Sequence, residues 1–397
     1  MLHEKDKNKS LSLLIIPFLL FDIMKLCKNK LMKIQNNGGY IMFNQTDTLQ
    51  FLEDLLNINS PTGYTKQAID FLRTEIEKLG VKTSTTHKGN LIAYIEGEDT
   101  SVTRALSGHV DTLGLMVRSI NSYGTLYLTK LGGPLTPTLD GEYCDIITRS
   151  GHVYTGTILS TSPSIHVFKD ASKKEREIDN LVVKIDERVA TKEDVERKLG
   201  IQNGDIVAYD PKTVVTSSGF VKSRFLDDKA SVALLVSLIK AIKAEDVKPK
   251  TNLQFIFTAY EEVGHGASYL PEEITELLAV DMGCIGEDLS CTEYDVSICA
   301  KDSSGPYDYE MVSSLIEYAK EEELDYAVDI YPMYGSDASA ALSGGANIKA
   351  ALIGPGVANS HGMERTHVDA LLNTFKLLVK YVENLLILEM NLHWMKF

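Results

Sequence analysis

Leu253-Gln254-Phe255-Ile256-Phe257-Thr258-Ala259-Tyr260-Glu261-Glu262 is an apolar run closed by two adjacent carboxylates. Residues 253–259 hold no breaker and read as a buried strand, and the acidic pair marks where the chain leaves the sheet. A helical pattern over residues 231–244 precedes it. Upstream, residues 104–109 read as a second buried strand that ends in Gly108-His109-Val110-Asp111, and downstream residues 277–280 read as a third that ends at Asp281. Strands alternating with helices make this an α/β chain with a largely parallel sheet.

The same rhythm extends outward. Thr46 or Asp47 is placed to cap an apolar helix through Leu56, Pro61-Thr62-Gly63 makes a turn, and residues 66–79 form an amphipathic helix. Residues 81–86 and 91–95 read as strands. Beyond Asp281, a helix over 309–323, strands over 327–331 and 349–353, a Gly-rich segment at Ser343-Gly344-Gly345 and a long helix from about Val368 complete the pattern. Residues 114–216 break it, with short strand-like runs at 153–159, 181–185 and 205–209 set among Gly, Pro and Ser. They read as a small β-rich domain inserted between residues 42–113 and 217–397, which together make the α/β domain.

Residues 1–41 differ in character. They carry seven lysines against three acids, so the remainder holds 33 basic and 52 acidic residues. The apolar run 11–20 is broken by Pro17 and is too short to span a membrane. Asn37-Gly38-Gly39-Tyr40-Ile41-Met42 is what a purine-rich ribosome-binding site would encode if translated, so residues 1–41 are expected to be a non-native extension and Met42 the start; an amphipathic anchor, an uncleaved signal and a plain Gly38-Gly39 linker are the alternatives. The whole chain has a formal charge of -15, which repels nucleic-acid phosphates and anionic lipid surfaces. Five scattered cysteines without CxxC spacing fit reduced thiols in a cytoplasm.

His109, Asp111, Asp227-Asp228, Glu261-Glu262, Asp281 and His361 are the polar residues at the ends of apolar segments. In open parallel sheets ligands bind beyond the carboxyl ends of the strands, so His109, Glu261, Glu262 and Asp281 are expected to share one crevice. Imidazoles with several carboxylates suit zinc, cobalt or manganese, and the number of acids favours two ions bridged by a shared carboxylate.

These motifs resemble a known family. Gly108-His109-Val110-Asp111, Phe225-Leu226-Asp227-Asp228-Lys229, Tyr260-Glu261-Glu262-Val263-Gly264, Val280-Asp281 and Ser360-His361-Gly362 look like the signature of co-catalytic dinuclear aminopeptidases. The long gap between Asp111 and Asp227 places the extra domain between the first and second ligands. That makes the chain similar to metallopeptidase family M42, the glutamyl, deblocking and tetrahedral (TET) aminopeptidases. The resemblance implies a mixed sheet flanked by helices, in the zinc-peptidase-like fold, with an inserted small β-barrel-like domain that builds dimers and dodecamers. It implies that His109, Asp227 and Asp281 hold one metal, that Asp227, Glu262 and His361 hold the other, and that Glu261 is the general base. Asp111 would hydrogen-bond His109 and fix its tautomer, and the Asp227-Asp228 bond can be cis in relatives. Gly335-Ser336-Asp337-Ala338 resembles the family's substrate loop, making Ser336 and Asp337 candidate substrate residues. Thr112, Gly362 and Met363 depart from the family pattern. His265 and His367 are not ligands in it.

The reaction implied is removal of N-terminal residues from short peptides. Deacylation of N-acyl amino acids or cleavage of dipeptides is the alternative, because an activated water attacks any positioned amide. A glucanase ranks lower, since glycoside hydrolysis uses two metal-free carboxylates. A non-catalytic, metal-stabilised assembly protein has no use for Glu261 beside Glu262.

Overall fold

The computed structural model describes residues 31–36, 39–246 and 248–383. Its centre is a mixed sheet in the order Tyr326–Ile330, Val296–Lys301, Lys349–Val357, Ile274–Val280, Asp99–His109, Thr251–Thr258, Leu91–Ile95, Lys82–Thr85. Gly283–Cys284 adds a short ninth strand on Lys349–Val357. The four inner strands, from Lys349–Val357 to Thr251–Thr258, are mutually parallel. Their carboxyl ends therefore face one way, and the chain leaves them at His109, Glu261, Asp281 and, a few residues on, His361. Thr251–Thr258 is buried at every position, as an inner strand covered on both faces must be; it carries no charge, and Asn252, Gln254 and Thr258 each find a hydrogen-bond partner within the fold.

Helix Leu226–Ala244 is buried along almost its whole length. It packs on strand Asp99–His109 and against helices Gln45–Leu56 and Val368–Glu383, so its apolar surface is wider than one stripe, and it reaches water mainly near its end, at Lys240 and Lys243. Helices Lys66–Glu77 and Tyr309–Glu321 bury one face each, Ala68, Ile69, Leu72 and Ile76 on the first and Met311, Val312, Leu315 and Ala319 on the second.

The segment after His109 enters a closed six-stranded barrel built from Gly114–Ile120, Leu126–Leu131, Tyr143–Ile147, Val153–Ser160, Leu181–Ile185 and Ile206–Tyr209. All its pairings are antiparallel. Leu115, Val117, Leu126, Leu128, Ile146, Ile158, Val183 and Val207 fill its interior. Closure leaves no unpaired sheet edge.

Three local details differ from the sequence reading. Asn44, not Thr46 or Asp47, caps the first helix by accepting from the Asp47 amide at 3.2 Å, because the preceding strand Gly39–Asn44 runs straight into it. Strand Val296–Lys301 was not anticipated. Residues 337–343 form a helix, Asp337–Ser343, where a loop was expected. Of the expected extension, residues 1–30, 37 and 38 lie outside the described residues, while the backbone of Leu31–Asn36 pairs antiparallel with Gly39–Asn44. Among the described residues no helix is long and apolar enough to cross a membrane.

Candidate metal centre and active site

At the carboxyl ends of the inner strands a cleft of about 590 Å³ opens. Asp227, Glu261, Glu262, Asp281 and His361 line it, and His109 stands at its floor, buried. Candidate ligand atoms of His109, Glu261 and Asp281 lie within 4.8 Å of one another, as do those of His109, Asp227 and Glu262. His361 Nε2 is 3.7 Å from Asp227 Oδ2 and 3.6 Å from Glu262 Oε2.

Asp227 comes from the start of helix Leu226–Ala244, where Asp227 and Asp228 have non-helical dihedrals and the bond between them is cis. Glu261 and Glu262 come from a single 3-10 turn, Glu261–Val263. A continued strand would send adjacent side chains to opposite faces, and the turn lets both face the cleft.

The two imidazoles are oriented alike. Nδ1 of His109 donates to the Asp111 carbonyl at 2.9 Å, and Nδ1 of His361 donates to the Gly133 carbonyl at 2.9 Å. A carbonyl only accepts, so Nδ1 carries the hydrogen in each ring and Nε2 is left to face carboxylate oxygen. His109 Nε2 meets Asp227 Oδ1 at 3.1 Å. Lone pairs facing oxygen lone pairs call for a cation between them, and Asp227 offers one oxygen to each histidine.

Asp111 departs from its expected role. Its carboxylate is 3.6 Å from His109 Nδ1, and it is occupied elsewhere: Oδ1 accepts from the Glu261 amide at 3.1 Å, Oδ2 from the Glu262 amide at 3.3 Å and from the Thr62 hydroxyl at 2.7 Å. The main-chain carbonyl of Asp111 holds the imidazole, and its side chain pins the turn that carries the two glutamates. Asp337 is likewise spent. It does not line the cleft; its oxygens accept from Thr258 Oγ1 at 2.8 Å and from the Ala267 amide at 2.9 Å, which ties down the far side of the same loop. Ser336 does line the cleft and caps the helix behind it.

Electrostatics match a site built for cations. Burial pushes Glu261 and Glu262 well above the usual carboxylate range, with Asp281 and Asp227 respectively adding repulsion. Burial and the charge of Asp227 push Asp281 up to about 7. No Lys or Arg stands among the lining residues to relieve them. Buried acids facing two imidazole lone pairs fit divalent ions of the zinc, cobalt or manganese kind.

Glu364 escaped the sequence reading. It is buried, and its two oxygens accept from the Asp227 amide and the His361 amide, each at 3.1 Å. The only signal was an acid shortly after a site histidine in a Gly-containing turn. The barrel also reaches the site: the Leu135 amide donates to the His361 carbonyl at 2.9 Å. A Cβ at position 362 would meet Leu135 Cδ2 at 3.4 Å and Thr138 Cγ2 at 3.5 Å, ordinary contact distances, so this segment packs directly on the turn that carries His361. Thr112 is buried and donates to the Leu113 carbonyl. His265 is exposed and stacked on Tyr260, and His367 bonds the Ser218 carbonyl; neither joins the cluster.

The sequence model of M42 glutamyl aminopeptidases matches residues 89–377. A Bacillus subtilis protein named "Putative aminopeptidase YhfE" is 48% identical over 338 residues, 85% of this chain and 97% of its own. Among solved structures, aminopeptidase APDkam598 from the archaeon Desulfurococcus kamchatkensis superposes with a TM-score of 0.76 at 21% identity, covering 85% of this chain and 95% of its own. The Pyrococcus horikoshii TET1 peptidase, which assembles into a tetrahedron or a large octahedral shell, does so with a TM-score of 0.74 at 24% identity over 85% and 100% of the two chains. At such identities the structural likeness is one of fold.

Proposed function

As the chain belongs to the M42 glutamyl aminopeptidase family, we propose that it is a dinuclear metal-dependent aminopeptidase acting on short peptides, with Glu261 as general base. It is a peptide hydrolase. His109, Asp281 and Asp227 would hold one divalent ion, and Asp227, Glu262 and His361 the other. Bound there, such ions acidify a water and polarise the scissile carbonyl. The observation that carries this reading is the two-sided placement of Asp227, with one oxygen turned to each histidine.

Glu261 lines the same cleft, its amide donates to the Asp111 carboxylate, and its own carboxylate faces His109 Nε2 at 3.6 Å with no salt bridge to Lys or Arg. Its raised affinity for a proton suits a base that takes one from water and returns it to the departing amine. Asp111 positions Glu261 and Glu262 together through their amides, and so serves catalysis by placement. The free thiols of Cys144, Cys284, Cys291 and Cys299 and the reduced state they require support a cytoplasmic location.

The barrel supports assembly into a homo-oligomer. Tyr143, Val153, Ile165 and Val167 are large apolar side chains exposed on it and its long loop, and a lone subunit gains nothing from leaving them in water.

The deciding experiment assays leucine amide and N-acetyl-leucine amide with zinc, cobalt or manganese. Hydrolysis of the free-amine substrate supports the reading. Cleavage of the acylated substrate alone would replace it by deacylation, and hydrolysis of neither would defeat both.

A further inference from the structure

Besides the residues assigned to metal and base, the cleft is lined by Ser304, residues 333–336 and helix Asp337–Ser343, and this wall is open to the first side chain of a peptide. Ser304, Met333, Tyr334, Ser336, Ala340 and Ser343 make most of that wall. It presents hydroxyls, a thioether, a ring and a methyl group, and no lysine, arginine or carboxylate stands in it.

Two carboxylates lie just behind the wall, and both are already saturated. Asp302 is fully buried: Oδ1 accepts from the Ser304 amide at 2.8 Å, the Ser304 hydroxyl at 2.6 Å and the Gly305 amide at 3.2 Å, while Oδ2 accepts from the Tyr307 hydroxyl at 2.7 Å. Tyr307 in turn lies 2.8 Å from Ser336 Oγ, so Asp302 braces both hydroxyl-bearing edges of the wall. Asp337 is committed to Thr258 and Ala267. Two lysines lie near this region and neither lines the cleft: Lys88 spends its ammonium on the carbonyls of His265 and Gly266 and on Ser268 Oγ, and Lys301 donates to the Asp302 carbonyl at 2.7 Å.

Neither sign of charge finds a partner here. A glutamate or aspartate side chain would meet no cation on the wall, and a lysine or arginine would meet no free carboxylate. The four acids that line the metal side, Asp227, Glu261, Glu262 and Asp281, would be matched by two divalent ions, which leaves none of them free to pair with a cationic side chain. Ser304, Met333 and Ser343 are exposed, so the cost of desolvation falls on the buried part of the wall, at Ser336 and Ser339: there an unpaired charge loses water without compensation, whereas an amide, hydroxyl or alkyl group loses little.

We propose that the site selects peptides whose N-terminal residue carries an uncharged side chain, and that it discriminates against acidic and basic ones alike. This rests on the aminopeptidase reading above and narrows it, against the expectation raised by the glutamyl name of the family.

The test uses near-isosteric pairs on the metal-loaded protein: glutamine amide against glutamic α-amide, and norleucine amide against lysine amide. The neutral member of each pair should be favoured by about tenfold or more in kcat/KM, the effect of roughly 1.4 kcal/mol. Equal or reversed preference in either pair overturns the proposal. If only N-acetylated substrates are cleaved, the aminopeptidase reading fails, and the same pairs in acetylated form still read the wall. If no amide turns over, calorimetric binding of free glutamine against free glutamate makes the comparison. Ala340→Arg, on the wall helix, should raise the glutamate-to-glutamine ratio about tenfold, and Ser343→Arg, at its exposed end, provides a second placement. A ratio unmoved in both folded, metal-loaded variants overturns the assignment of this wall to the first side chain.

Discussion

The backbone amide of Asp227 donates to Oε2 of Glu364 over 3.1 Å, and the other oxygen of that carboxylate accepts the amide of His361 at the same distance. One buried side chain thus fixes the backbone of two residues that come from a helix start and a distant loop. His361 has a left-handed backbone, with φ of 66°, a conformation that a residue bearing a Cβ holds only when neighbours impose it. Glu364→Gln supplies one acceptor where two amides need one each, and leaving a buried donor unpaired costs about 1–3 kcal/mol. The variant should lose metal during dialysis against a weak chelator faster than the parent and should melt at a lower temperature. Equal metal retention and an unchanged melting point would remove Glu364 from the site's support.

Much of the fold was legible because an inner parallel strand has an unambiguous signature. Residues 253–259 and 104–109 centre on short apolar stretches, Phe255-Ile256-Phe257 and Ala105-Leu106, with no charged residue after Arg104 in either run, and the acid or histidine beyond each stretch marks the open end of the sheet. Polar residues whose partners are backbone amides were not legible. Nothing in the residue type of Asp111, Asp337 or Glu364 says that it accepts from main-chain donors more than a hundred residues away in the first and last cases. Helix Asp337–Ser343 was missed because seven small residues, Asp-Ala-Ser-Ala-Ala-Leu-Ser, carry too few apolar positions to show a helical period. The barrel was expected from the family resemblance alone; strand patterning by itself does not show its closure, which depends on pairing Gly114–Ile120 with Ile206–Tyr209 across the whole insertion.

Asp337 gives a pH prediction with a definite sign. Burial raises its pKa from 3.8 to about 6, so the folded chain keeps a proton that the unfolded chain releases. The native state is favoured by this group at low pH, and that advantage is lost as pH rises from about 4 through 6, by on the order of 3 kcal/mol. Asp337→Asn keeps an acceptor for the Ala267 amide and cannot titrate. Urea unfolding of the two metal-free proteins at pH 4.5 and pH 7 should show the parent losing stability relative to the variant on going up. A constant difference between them would mean that Asp337 keeps an ordinary acidity.

Assembly is the next expectation. If the barrel carries the subunit contacts, light scattering should report a multiple of the subunit mass, and Ile165→Lys with Val167→Lys should shift the population toward smaller species without changing the fold. Both positions are about three-quarters exposed in the single chain, at 75% and 72%, so charge there costs the subunit little by itself. A monomer with full activity at micromolar concentration would show that the exposed apolar loop has another purpose.

The last prediction separates chemistry from metal holding. Glu261 and Glu262 are neighbours on one turn, both pinned by Asp111, yet His361 Nε2 stands 3.6 Å from Glu262 while Glu261 faces His109 Nε2, also at 3.6 Å. Glu261→Gln should therefore keep both ions and still bind peptide, and should lose about 10²- to 10⁴-fold in turnover, the usual worth of a positioned base. Glu262→Gln should weaken one ion, with activity partly restored by excess zinc or cobalt, because an amide is a poorer ligand for a dication than a carboxylate. Asp227→Asn should be the most damaging, since a group that faces both histidines would serve both ions and its loss leaves their repulsion uncompensated. Metal content by elemental analysis, beside initial rates on one aminoacyl amide, distinguishes the three. Because candidate ligand atoms of Glu261 also lie within 4.8 Å of those of His109 and Asp281, the informative failure is specific: if Glu261→Gln loses an ion while Glu262→Gln keeps two, Glu261 is a ligand and Glu262 the base.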